Sequence, residues 1–460
     1  MGDTPRQFTV MNTPDRGRVC VATQAFKAGD VLLEDLAFVH ASELPDRCLA
    51  CCGFHEASAC YKLKPQGPLP CPADLLEELD AVADEMCDLD AINTLDRARC
   101  FIQCMLMYRK DPLALDPLAP LTAANLPRCL ESVVSIRELA PGLFADGMTN
   151  DRAARVLGTL NTNSHELEQV EGSGLFLMAC IMEHDCTPNC SFTTFGDKLW
   201  VTAIREGGEG ERLSIDYGNN FYLPTAERKA ELEDIYEFVC TCRACTVLPD
   251  RCRAFRCPSK DCRSGKVCPH GDGGDESAER SSKNWGCLQC GHQCDPDEIE
   301  VLLEAEESLA EALEMADDLG VEQIDAFVQE ARVVHPTHYA VFWALEATAK
   351  RLSGESAGGG GRRERVAQAA EAAWARLVSA VEEALPALHH EKVVYLDALA
   401  QSRVVAGDIK GAREAYESAH RVSVMVSGAN TVPTLDIKSL AERTPTSANE
   451  LRARYSGGQA

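Results

Sequence analysis

The sequence predicts an α+β chain: a β-rich first half split by a helical block, then a cysteine-rich segment, then an all-helical C-terminal region. Three observations predict it. All 23 cysteines fall between Cys20 and Cys294, and residues 295 to 460 hold none. Short runs of alternating apolar and polar residues flank residues 73 to 160, where apolar residues instead recur at helical spacing. Beyond Glu298 the spacing stays helical, interrupted by the glycine run Gly354 to Gly361, which reads as a linker.

In chain order, Arg18 to Thr23 and Val31 to Leu33 read as the strands of an opening β-hairpin around Lys27-Ala28-Gly29-Asp30. Leu75, Leu76, Leu79 and Val82, with acidic residues between them, open the inserted helical block. Strand character returns at Leu175 to Met182 and at Lys198 to Ile204, where Leu199, Val201 and Ala203 alternate with Trp200 and Thr202. Leu213, Ile215 and Tyr217 then alternate on a last strand. Pro224 and Thr225 open a helix with Thr225 as N-cap and Leu232 and Ile235 on one face. Near the end, Ile409, Ala412, Tyr416 and Ala419 repeat the small–large spacing of a tetratricopeptide-type helix pair, without the period of about 34 residues that would make an array.

Composition narrows the function. Net charge is −27, and Asp295 to Ala331 carries fourteen acidic residues with no Lys or Arg, which argues against direct nucleic-acid binding and for basic protein partners. The longest apolar run, Leu175 to Met182, is too short to cross a bilayer, and the first residues have no apolar stretch like that of a signal peptide. A cytoplasmic or nuclear monomer is therefore expected. In such a reducing compartment, clustered cysteines read as thiolate ligands rather than disulfides.

Cys240, Cys242 and Cys245 offer three thiolates, and tetrahedral zinc needs a fourth ligand. Cys257, Cys262, Cys287 and Cys290, with Gly291 after the second pair, have the spacing of a zinc ribbon, with Cys268, His270 and Cys294 as spare candidates. At least two zinc ions are expected. Cys48, Cys51, Cys52 and Cys60 cluster without a full series of ligands, whereas Cys100 and Cys104 suit a helical core.

Three segments gain meaning together: Glu183-His184-Asp185-Cys186-Thr187-Pro188-Asn189-Cys190, Gly210-Glu211-Arg212-Leu213-Ser214-Ile215-Asp216-Tyr217-Gly218, and Cys240-x-Cys242-x-x-Cys245. In order and spacing they resemble the core of the SET-domain protein lysine methyltransferases, nearest the SET-and-MYND branch, with a degenerate or missing MYND module at Cys48 to Cys60. The resemblance implies S-adenosylmethionine as methyl donor, bound by Arg16, Gly17, Arg18, Asn163, Glu183, His184, Tyr217 and Phe238. Asn189 would help shape that pocket. It also implies Tyr217 and Tyr236 as catalytic residues, Tyr236 and Phe238 as aromatic walls, Cys186 as the fourth zinc ligand, and a lysine-bearing, basic protein or peptide as substrate.

The implied organisation places the first part of the SET domain at 1–45, a cysteine-containing helical insert at 46–149, and the catalytic part at 150–232. A post-SET zinc site at 233–247, a zinc-ribbon-like segment at 248–297 and a tetratricopeptide-like helical domain at 298–460 complete it. Two departures stand out: Glu183 replaces the family's asparagine, and Val19 the second glycine of the N-terminal turn. Two readings follow, an active methyltransferase and a zinc scaffold that keeps the fold without turnover.

Overall fold

The structure, a computed structural model, describes residues 7–14, 17–218, 221–270, 284–314, 319–357, 363–385 and 388–456. Before the insert run β1 (Phe8–Thr13), β2 (Gly17–Ala22), β3 (Val31–Leu36) and β4 (Val39–Ser42). After it come β5 (Ser164–Leu167), β6 (Gly172–Leu175), β7 (Glu183–His184), β8 (Cys190–Phe195), β9 (Lys198–Ala203) and β10 (Arg212–Ile215). They form three small sheets, ordered β1-β2-β10-β7, β3-β9-β8 and β4-β6-β5.

The predicted opening hairpin is not formed. Both edges of β2 are taken, by β1 and by β10, and β3 pairs instead with β9. The run Leu175 to Met182 is not a strand either: β6 stops at Leu175 and a 3₁₀ turn spans Ala179–Ile181. Its apolarity reflects burial, with Phe176, Ala179 and Met182 all in the core, while Asp35 accepts the N–H groups of Met178 and Ala179.

The insert folds as α1 (Ala73–Met86), α2 (Leu95–Lys110), α3 (Leu126–Leu139) and α4 (Asn150–Asn163). Helix α2 is buried on nearly every side, Cys100 and Cys104 included. Arg99 donates to the carbonyls of Ser42 and Leu44, and Gln103 to those of His40 and Leu49, so buried donors find backbone partners on and just beyond β4.

Next come α5 (Thr225–Tyr236) and α6 (Arg243–Thr246), then a small sheet of β11 (Phe255–Arg256), β12 (Lys266–Pro269) and β13 (Trp285–Cys287). Thr225 is not the N-cap of α5. It lies inside the first turn, and its N–H is capped by the Asp250 carboxylate, a partner too distant in sequence to foresee. Leu232 and Ile235 do not share a buried face: Leu232 is buried and Ile235 exposed.

The C-terminal arm comprises α7 (Pro296–Glu314), α8 (Val321–Glu330), α9 (Tyr339–Ala357), α10 (Arg363–Ala384), α11 (Glu391–Ala406), α12 (Ile409–Ser427), α13 (Val432–Glu442) and α14 (Ala448–Ser456). From α9 to α13 each packs on the next. The first residues of the predicted glycine linker belong to α9; 358–362 lie outside the described residues.

The arm closes over the β core. Trp200 and Thr202, which alternate with Leu199, Val201 and Ala203, are buried as well because α12 packs on β8 and β9, where Thr193 donates to Ser427 at 2.7 Å. At this seam Gly428 has φ +86°, and a Cβ there would lie 2.5 Å from Val31 Cγ2.

Candidate functional site

Between the β core and the arm lies a cleft of about 1890 Å³. One wall comes from Gly17, Arg18, α4, the 179–184 turn, the end of β10 and residues 236–242; the other comes from α11 to α14. Among the described residues lining it are nine carboxylates, against Arg18 and Arg454 as the cationic side chains.

Tyr217 sits just past the end of β10. Its ring centroid is 5.0 Å from Tyr236, 6.4 Å from Phe238 and 5.3 Å from His184. Its hydroxyl donates to the Met182 carbonyl, and Tyr236 donates to the Tyr217 carbonyl at 3.1 Å. Burial pushes the Tyr217 phenol well above its ordinary range and Tyr236 up to about 12, so both stay protonated at neutral pH.

Behind this aromatic group stand Cys186, Cys240, Cys242 and Cys245, whose sulfurs all lie within 4.8 Å of one another. The neighbouring Cys186 thiol pulls Cys242 down to about 7, and so close a set of four thiols fits tetrahedral zinc. His184 joins the two features: its Nε2 is 3.2 Å from Cys186 Sγ, and its Nδ1 accepts the Tyr217 N–H at 3.2 Å.

Cys257, Cys262, Cys287 and Cys290 form a second set fit for zinc, on the small sheet β11-β12-β13. Gly265 is required there, since a Cβ would lie 2.4 Å from Cys262 Sγ and 2.5 Å from Cys287 Sγ. The spare candidates Cys268, His270 and Cys294 are not in this set.

A third set, Cys48, Cys51, His55 and Cys60, amends the reading of that region as degenerate or absent. The series of eight ligands is not there, but one complete site is, with His55 in the place where Cys52 was a candidate. His55 Nδ1 faces the Glu56 carbonyl at 3.0 Å, leaving Nε2 3.2 Å from Cys51 Sγ. The spacing Cys48-x2-Cys51-x3-His55-x4-Cys60 could have revealed it.

Residues 17–218 match the SET domain family. That stretch of the chain carries a SET domain. Its SET region is similar to the N-lysine methyltransferase SMYD2 of Gallus gallus, 36% identical over 103 residues, which is 21% of this chain and 23% of the relative. Human SMYD2 is 34% identical over 101 residues, with the same coverage. The histone-lysine N-methyltransferase SMYD3 of Mus musculus is 38% identical over 80 residues, 17% of this chain and 18% of the relative. The chain thus spans less than a quarter of the length of the curated relatives it matches. A solved structure of Rubisco LSMT bound to AdoMet covers 98% of this chain and 92% of its own at 14% identity with TM-score 0.27, too low to bear on the fold.

Every sequence-predicted cofactor and catalytic residue that is described, namely Gly17, Arg18, Asn163, Glu183, His184, Tyr217, Tyr236 and Phe238, lines this same cleft. Arg16 lies outside the described residues. Gly17 has φ +69°, as a tight turn demands, and Val19 is a buried strand residue. The Asn163 amide is engaged by the carbonyls of Thr122 and Thr159. Asn189 does not line the cleft; its amide holds β10 through Arg212 and Ser214.

Sequence reasoning missed the arm's share of the SET cleft, including His390, Glu391, Asp397 and Tyr455. It also missed His165, which burial pushes down to about 4. No helix among the described residues is long and apolar enough to cross a membrane.

Proposed function

We propose that the chain is a protein-lysine N-methyltransferase that uses S-adenosylmethionine, with the cleft as its active site. The observation that carries this is the meeting of Tyr217, Tyr236 and Phe238 on the cleft wall, directly against the Cys186/Cys240/Cys242/Cys245 set. The curated relatives support it, being lysine methyltransferases by name.

The cofactor supplies an electrophilic methyl group on a sulfonium sulfur. The chain's residues must then align a neutral amine for direct displacement, where correct placement alone is worth up to roughly 7 to 11 kcal/mol. Gly17, Arg18, Asn163, Glu183 and His184 bind the donor. Aromatic walls at Tyr236 and Phe238 exclude water, which favours the neutral amine over the ammonium. The protonated Tyr217 hydroxyl directs its oxygen at the reacting centre without becoming covalently bound. Zinc held by the four thiolates keeps residues 236–242 against Tyr217.

The nine carboxylates of the cleft favour a lysine in a basic stretch of protein, histone or non-histone. Thiolate zinc sites suit the reducing cytoplasm or nucleus.

The test begins with calorimetric titration of S-adenosylmethionine into zinc-loaded native protein and Glu183→Asn. One-to-one binding by the native chain is expected. Binding only by the asparagine variant would replace the enzyme with a scaffold that has lost its donor. Tyr217→Phe should keep cofactor affinity and lose about 10²-fold or more in methyl transfer; unchanged turnover would discard Tyr217 as the catalytic residue.

A further inference from the structure

The segment that follows β10 runs from the β core into the arm. Phe221 packs edge-on to Phe342 at 6.0 Å, and Tyr222 stacks on Phe342 at 3.8 Å with its hydroxyl donating to the Thr337 carbonyl at 2.9 Å. The arm therefore grips this segment a few residues beyond Tyr217. A second grip lies at Asp216, the residue immediately before Tyr217.

Asp216 is a carboxylate whose side chain is 14% exposed, between two histidines: Oδ1 is 3.6 Å from His184 Nδ1, and Oδ2 is 3.8 Å from His389 Nε2. The two imidazoles play different parts. His184 Nδ1 accepts the Tyr217 N–H, so that nitrogen carries no proton in the neutral ring, and its donor is Nε2, facing Cys186. His184 thus has no N–H for Asp216. His389 is arranged the other way round, with Nδ1 accepting the Glu391 N–H at 3.3 Å, which leaves the proton on Nε2, the nitrogen nearest Asp216.

The His389 ring is itself held between Phe221, stacked at 4.5 Å and 18°, and His390, at 4.6 Å and 28°. At 3.8 Å the contact with Asp216 is longer than a hydrogen bond, in keeping with active-site contacts that tighten when ligands bind.

From this geometry we infer that His389 is a positioning residue: reaching from the arm, it holds Asp216 and thereby fixes the backbone that presents Tyr217 to the cleft. Its catalytic readout rests on the methyltransferase reading above, whereas its structural readout does not. The arm is then part of the active site. Burial alone would raise the Asp216 carboxyl, yet the His389 N–H and, to a smaller extent, the Gly218 N–H hold it below its ordinary value. Without His389 the carboxylate keeps the Gly218 N–H at 3.4 Å and has no imidazole donor, so the 216–218 backbone is released.

Two variants of the full zinc-loaded chain separate polar contact from packing. His389→Gln places an amide N–H where Nε2–H stood and gives up the stack; His389→Phe keeps the stack and gives up the donor. Hydrogen–deuterium exchange across residues 213–222 should quicken in His389→Phe and match the native protein in His389→Gln. Methyl-transfer kcat should fall about 10-fold in His389→Phe, with cofactor affinity, KM and zinc content held within about 2-fold, and recover in His389→Gln. Equal effects in both variants, or none in either, would overturn the inference. A native protein that transfers no methyl group would instead refute the methyltransferase reading, and the exchange measurement would still decide this one.

Discussion

The thiolates of Cys186 and Cys245 are separated by 59 residues and meet beside Tyr217, whereas Cys257, Cys262, Cys287 and Cys290 come from one small sheet away from the cleft. The donors are chemically alike, but their surroundings differ. The first set shares its apolar cluster with Tyr217, Tyr236 and Phe238. The second belongs to the core of the arm, where Trp285 packs 5.5 Å from Phe255. There Glu306 is bound at once by Arg253, at 2.8 and 2.9 Å, and by His338 at 2.9 Å. The difference teaches that like donor sets are set apart by what packs against them: one set lies against the candidate active site, the other in the core of the arm.

The comparison breaks most sharply on paired substitutions. Cys186→Ser should lose one zinc, weaken cofactor binding and cut methyl transfer by about 10²-fold or more, given the roughly 10 to 16 kcal/mol of metal binding that orders small zinc peptides. Cys287→Ser should also lose one zinc yet leave turnover of the folded protein within about 3-fold. Metal analysis beside a radiolabelled assay decides, and equal losses would end the distinction.

Glu306→Gln leaves the Arg253 guanidinium without its carboxylate and should cost about 3 to 5 kcal/mol in denaturant unfolding, with cofactor affinity unchanged. The same carboxylate gives a pH signature. Burial would raise it, but hydrogen bonds from His338 and Arg253 outweigh that and hold it at about 2, against an ordinary 4.5. Since the folded-state value is the lower one, its stabilisation is present above about 4.5 and is lost as pH falls through about 2. The stability gap between native protein and Glu306→Gln should narrow across that window.

The smallest expected effect sharpens the ribbon side. Gly265→Ala should cost about 1 to 3 kcal/mol and weaken that zinc alone, because the added methyl meets two ligand sulfurs. Titration with a competing chelator would show one weakened site, and an unchanged titration would contradict the geometry.

Much of the site was legible in the sequence because its parts are short and ordered. The Glu183–Cys190 and Gly210–Gly218 segments and the Cys240–Cys245 cluster each fit on one loop or strand. His55 was legible too, at a spacing that could have been counted. Asp216 and His389 were not: nothing in local pattern joins a residue after β10 to one before α11.

What the sequence by itself determined was the α+β class, the helical insert, the helical arm, and Cys240, Cys242 and Cys245 with the four ribbon thiolates, because periodicity and ligand spacing are local properties of the chain; Cys186 entered only through the family resemblance. Tertiary structure alone decided that β2 pairs with β1 and β10, that Asp250 caps α5, that α12 buries the outer face of β9, and that the arm supplies one wall of the cleft and a histidine beside Asp216. Each of those depends on contacts between residues far apart in the chain, and such contacts are selected by burial and shape complementarity rather than by any periodicity.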